Sequence, residues 1–124
     1  MKRIIAAAIL LVFVIITYTT GYFYITKACN QANVLLKECN ADYNEKTDAT
    51  VSTKKLEDFW TKKEKILSLF ANHTSIDEIE LAISTMLTYS NTSEKELFFE
   101  YSGTVKTLLH QLMEDTVPGV HSIL

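Results

Sequence analysis

Glycine, proline and cysteine are scarce in this chain: three, one and two among 124 residues. A loop that cradles phosphate needs several positions where backbone approaches an anion without a Cβ, and three scattered glycines exclude it. So few glycines and one proline also argue against a strand-and-turn protein, which uses both at its turns. Two cysteines exclude a disulfide scaffold and a four-thiolate zinc site. Three motifs are missing as well: Gly-x-Ser-x-Gly, His-Glu-x-x-His and the Glu-x-x-His of di-iron bundles. The sequence therefore implies no catalytic residue, no cofactor and no metal ligand, and the chain reads as a non-enzyme.

Charge is missing from one long stretch. Lys2 and Arg3 are followed by no charged residue until Lys27, and Ile4 to Ile16 is an unbroken apolar run. Twenty-three uncharged helical residues span roughly 34 Å, against about 30 Å for the hydrocarbon core of a bilayer. Backbone amides in lipid must pair within their own segment, so this stretch is expected to be a transmembrane helix. The competing reading is a cleaved leader, since an apolar run of thirteen also suits a signal peptide. Thr19 and Gly21 make a poor cleavage site, and Lys27 stands too close to Cys29 for a lipoprotein signal. Tyr18, Tyr22, Phe23 and Tyr24 read instead as an interfacial aromatic belt.

Lys2 and Arg3 before the span place the amino terminus in the cytoplasm and the rest outside. Taking the three basic residues of positions 1–27 from the twelve in the chain leaves nine, against fifteen acids: a body of net charge −6. Such an acidic body argues against a nucleic-acid partner and against strong binding to anionic lipid head groups.

Beyond residue 27 the periodicity is helical throughout. Ala28, Ala32, Leu35, Cys39 and Tyr43 form one stripe, with no Gly or Pro separating it from the span. Thr47 to Thr53 reads as a loop. Leu56, Phe59, Trp60, Lys63, Ile66, Leu67 and Phe70 mark a second helix, and Asn72-His73-Thr74 its end. Ser75 with Glu78, and Ser93 with Glu96, read as capping boxes that open a third and a fourth helix. Ile76, Ile79, Ile83, Met86 and Leu87 face the core from the third. Phe98, Tyr101, Val105, Leu108, Leu109 and Leu112 do so from the fourth. Gly103 marks a bend or a close helix contact. Val117-Pro118-Gly119 stops the fourth helix, and Val120 to Leu124 is an apolar tail that can lie back on the bundle. Short connections force neighbouring helices to alternate in direction. The expected fold is all-α: an anchor over 1–27, then an antiparallel up-down four-helix bundle over 28–124.

Several side chains invite a chemical reading. Cys29 and Cys39 stand roughly 15 Å apart along one helix, too far to pair, so they read as packing residues or as a link between parallel stalks in a homodimer. His73 with Asp77, and His110 with Glu114, have the one-turn spacing that a metal site could use, although two lone pairs arise readily by chance. Residues 54–65 are basic by two charges and residues 77–100 acidic by five, which reads as solvated faces of adjacent helices.

The run Phe59-Trp60-x-x-Lys63-x-x-Ile66-Leu67-x-x-Phe70-x-Asn72-His73, followed by Ile76-Asp77-x-Ile79, resembles the family DUF4363. Ile83, Tyr89, Phe98-Phe99 and the closing Ile123-Leu124 fit the same pattern. That resemblance implies a small Gram-positive bacterial protein with one amino-terminal membrane segment and no established activity. It also implies a multi-span membrane protein as partner, through genes that neighbour such proteins. With the bilayer itself as the other partner, the expected role is an interaction or accessory module for a larger membrane protein. The alternative is an extracytoplasmic bundle that senses a small ligand or cation.

Overall fold

The computed structural model describes residues 1–116; the tail from Val120 to Leu124 and the Val117-Pro118-Gly119 stop lie outside them. The described chain is all-helical: α1 (Lys2–Lys46), α2 (Thr50–Leu67), α3 (His73–Thr88) and α4 (Lys95–Thr116), with no strand among these residues. Nothing breaks α1, because no proline interrupts it and its one glycine, Gly21, is followed by 25 further helical residues. The apolar segment and the first bundle helix are therefore one rod of 45 residues, roughly 67 Å long.

The two halves of that rod differ. Every residue from 1 to 20 is exposed, whereas Gly21, Ile25, Ala28, Cys29, Ala32, Leu36, Cys39 and Tyr43 are buried. Packing thus starts at Gly21, inside the stretch that sequence assigns to the anchor. Gly21 is required there. A Cβ on it would stand 2.5 Å from Cδ1 and 3.2 Å from Cβ of Phe70, so the α2–α3 corner is seated directly on the α1 backbone. Tyr24 is half-buried and carries Lys63 over its ring at 5.6 Å. It belongs to the bundle, while Tyr18 and Phe23 remain exposed.

Each helix packs on two others: α1 on α2 and α4, and α3 on α2 and α4. Specific pairs tie these contacts. Between α1 and α2 stand Tyr24 with Lys63, Glu38 with Lys55, and Asp42, which accepts from Ser52. Trp60 Nε1 donates to the Ile76 carbonyl across α2 and α3 at 3.2 Å. Ser102 donates to Asn40 at 2.7 Å, and Tyr43 stacks on Phe98 with ring centroids 4.3 Å apart, which joins α4 to α1. Trp60, Phe98, Ile25, Leu56, Leu67 and the Ile76–Ile79–Ile83–Met86 stripe fill the centre.

Helix starts depart from the sequence reading in three places. First, α2 begins at Thr50, not after Ser52 or Thr53. Asp48 Oδ1 accepts from both Thr50 N (3.0 Å) and Thr50 Oγ1 (2.6 Å), so the first turn is satisfied earlier and the expected loop of Thr47 to Thr53 shrinks. Second, α3 is capped by Asn72, whose Oδ1 accepts from Thr74 N at 2.9 Å, and Ser75 falls inside the first turn. Asn caps as well as Ser and stands three residues sooner. Third, α4 starts at Lys95, and the turn before it is held by Thr92, whose hydroxyl accepts from Glu94 N. Ser93 contributes its carbonyl, to Lys95 N. Gly103 also differs from expectation. It is exposed within a continuous helix, with nothing within 4 Å of where its Cβ would be, so it marks neither a bend nor a contact.

Candidate functional site

A groove of about 920 Å³ lies between α1 and α2. Val34 stands two positions from both Ala32 and Leu36 of the buried stripe of α1, facing out beside Gln31 and half-buried Leu35. From α2 come Val51, one turn later Lys54 and Lys55, and then Asp58, Phe59 and Lys62. Val34 is 61% exposed and Val51 84%, so two aliphatic side chains form an open apolar strip with lysines on its rim. Those lysines are partly engaged. Lys54 reaches Glu57 at 2.9 Å and Asp58 at 3.5 Å, and Lys55 reaches Glu38 at 3.6 Å. Glu57 also accepts from Ser84 on α3 at 3.0 Å, and the Lys54 ammonium, followed by that hydroxyl, holds its carboxyl below the usual range. The groove offers apolar area and cationic edges.

The groove escaped sequence reading for a local reason. Val51 stood in a segment read as loop, and Val34 fell between two stripe positions. Once Thr50 is known to start α2, Val51 and Lys55 share one face at i, i+4 spacing.

A second cluster lies across α2 and α3. Burial of the Glu64 carboxyl pushes it up to about 7, and the carboxyls of Glu80 and then Asp77 reinforce the shift. The sequence-flagged pairs are formed but stand apart: His73 Nε2 lies 3.4 Å from Asp77 Oδ2, and His110 Nε2 lies 2.9 Å from Glu114 Oε1, both at the surface. His73 is the first residue of α3 and not part of a loop. Among the described residues no three of His, Cys, Asp and Glu gather as metal ligands would.

Cys29 and Cys39 are free and fully buried. Burial pushes the Cys29 thiol up to about 12 and the Cys39 thiol up to about 11. Neither sulfur is at the surface, and burial keeps both thiols protonated near neutral pH.

Residues 19–123 match the pattern of the DUF4363 domain of unknown function. The chain belongs to the DUF4363 family. The match begins at Thr19, two residues before the packed part of α1 starts. No curated protein and no solved structure matches the chain.

Proposed function

We propose that this DUF4363 protein is a single-pass membrane protein, amino terminus in the cytoplasm, whose bundle stands outside as a non-enzymatic accessory module for a larger membrane protein. The observation that carries this reading is the split character of α1. Its most apolar window is 6% buried, yet the same helix continues into the core. A soluble core helix would be covered, whereas a lipid-facing helix is left bare on all sides. The pairs Tyr24–Lys63, Glu38–Lys55 and Asp42–Ser52 rise along α1 as they fall along α2. The pairs Asn40–Ser102 and Tyr43–Phe98 do the same with α4. These registers support an up-down bundle in which α1 is both anchor and first helix.

The docking surface on this reading is the α1–α2 groove. Val34 lies eight residues past Thr26, about 12 Å above the end of the uncharged stretch. That height suits an extramembrane loop of a multi-span partner. The second reading, a ligand-sensing bundle, rests on the same groove, whose volume falls in the small-molecule range of roughly 300–1,000 Å³.

The test is affinity purification of the carboxyl-terminally tagged chain from gently solubilised membranes, with the parent compared to Val34→Asp/Val51→Asp. One multi-span protein recovered at near-equal amount with the parent, and lost with the variant, supports the accessory module. Recovery of the chain alone in both cases moves the weight to ligand screening by thermal shift.

A further inference from the structure

The basic charge of α2 turns toward α1 and is left partly unmatched within the chain. Among the described residues, the ion pair that α2 makes with another helix is Lys55 with Glu38 at 3.6 Å; Lys54 pairs within α2, with Glu57 and Asp58. Lys62, on the rim of the α1–α2 groove, is exposed and has no ionic partner among them. The acidic charge of α3 is open in the same way. Glu78 is exposed and has no ionic partner among the described residues. One turn further along the same face of α3 stands Leu81, 69% exposed.

These two surfaces are complementary and lie at one level. The groove sets exposed Val34 beside half-buried Phe59, with Lys62 one turn nearer the span. The α3 face sets Leu81 with Glu78 one turn nearer the span, because α3 starts at the α2–α3 corner. Glu57 meets Ser84 and Ser68 meets His73, pairs that stand eleven residues apart on both helices. Counting between those pairs puts Leu81 level with Trp60, and Glu78 level with Lys63. Two copies anchored in one bilayer therefore bring Leu81 to the height of Phe59, and Glu78 to the height of Lys62, by sliding in the plane alone.

We infer that the α1–α2 groove of one copy receives the α3 face of a second copy, with Leu81 seated on Val34 and Phe59 and Glu78 paired with Lys62. This inference rests on the single-pass reading of α1, which fixes the shared height. Charge selects this pairing over the symmetric ones. Groove against groove sets Lys54, Lys55 and Lys62 against their own kind, and α3 against α3 does the same for Asp77 and Glu78. Confinement to the bilayer supplies the effective concentration that so small a contact needs. The contact is heterologous, so it extends as a row or closes as a ring, and the end copy of an open row keeps a free groove for the larger partner.

The test uses two differently tagged forms of the full chain, one carrying Val34→Cys and the other Leu81→Cys, co-expressed and treated in membranes with a short bis-maleimide. Both sites are exposed, the two native thiols are buried, and the unsubstituted chain gives the blank. The 34–81 adduct should form several-fold more than the 34–34 or 81–81 adduct. Lys62→Glu in the first form should remove most of it, and Glu78→Lys in the second should bring it back. A 34–34 adduct as strong as the 34–81 one overturns the inference in favour of groove against groove. So does a 34–81 adduct that Lys62→Glu leaves unchanged, since the charge pairing is then gone. Absence of any two-copy adduct from membrane-bound chain overturns it as well, and leaves the anchor and the accessory module standing. Chain that does not pellet with membranes overturns the single-pass reading, and the shared height with it.

Discussion

Two glycines in this chain do opposite things, and only the surroundings of each tell them apart. Gly21 meets Phe70 where a Cβ would be, while Gly103 faces open space on a regular helix. Gly103→Ala should raise stability by about 1 kcal/mol, the ordinary helix difference between the two residues. Gly21→Ala should lower it and shift the melting midpoint the other way, as seen by thermal unfolding of the two variants side by side. Trp60 is fully buried with its indole N–H donating to Ile76, so Trp60→Ala should cost about 3–5 kcal/mol. A variant that melts like the parent would remove Trp60 from the core.

Glu64 gives the residue scale its pH dependence. Its carboxyl titrates near 7 in the folded chain, above the ordinary 4.5. The folded state therefore binds that proton more tightly than the unfolded state, and stability falls as pH rises from about 4.5 through 7. Asp48 and Glu57 act in the opposite sense, since their carboxyls are held low by Thr50 and Lys54 and they lose stabilisation on acidification. Glu64→Gln isolates the first effect. Its melting midpoint should exceed the parent's at about pH 8 and approach it at about pH 4, where Glu64 carries its proton in both states.

At the scale of the element, the helices were legible and their first residues were not. Stripes survive because burying a face requires the 3.6 period whatever the loops do, which is why Ile76, Ile79, Ile83 and Met86 are all buried as read. Starts are settled by competition among neighbouring caps. At α3 the residue read as the cap was Ser75, and Asn72, three residues earlier, reached the free amide of Thr74. Asn72→Ala should then cost about 1 kcal/mol, and Ser75→Ala distinctly less, measured by urea unfolding of each. Equal losses would restore Ser75 as the cap. Gly21 was illegible for another reason. The residue that requires it lies 49 positions away, and no local pattern carries that contact. The groove was half-legible: its lysines stood out as a basic run and Leu35 and Phe59 as stripe positions, but the exposed Val34 and Val51 belong to no stripe.

For the whole molecule, the central feature is the rod formed by α1. The all-α class follows from what the sequence lacks, and the structure makes the apolar segment and the first bundle helix one helix over Lys2–Lys46, with Gly21 where packing begins. On the proposed single-pass reading, the continuous helix transmits tilt of the span to the bundle without loss at a linker. It suits a module that holds a fixed pose beside a neighbour. A domain tethered by a flexible stalk would search a volume instead.

The most direct test of this account is topology in intact cells. Val51 is 84% exposed at the end of the bundle opposite the corner, so Val51→Cys can be challenged with a membrane-impermeant maleimide before and after lysis. We expect labelling of intact cells, on a species of full-length mass that pellets with membranes. Labelling only after lysis, or a shortened product in the medium, would contradict an anchored bundle outside the cytoplasm.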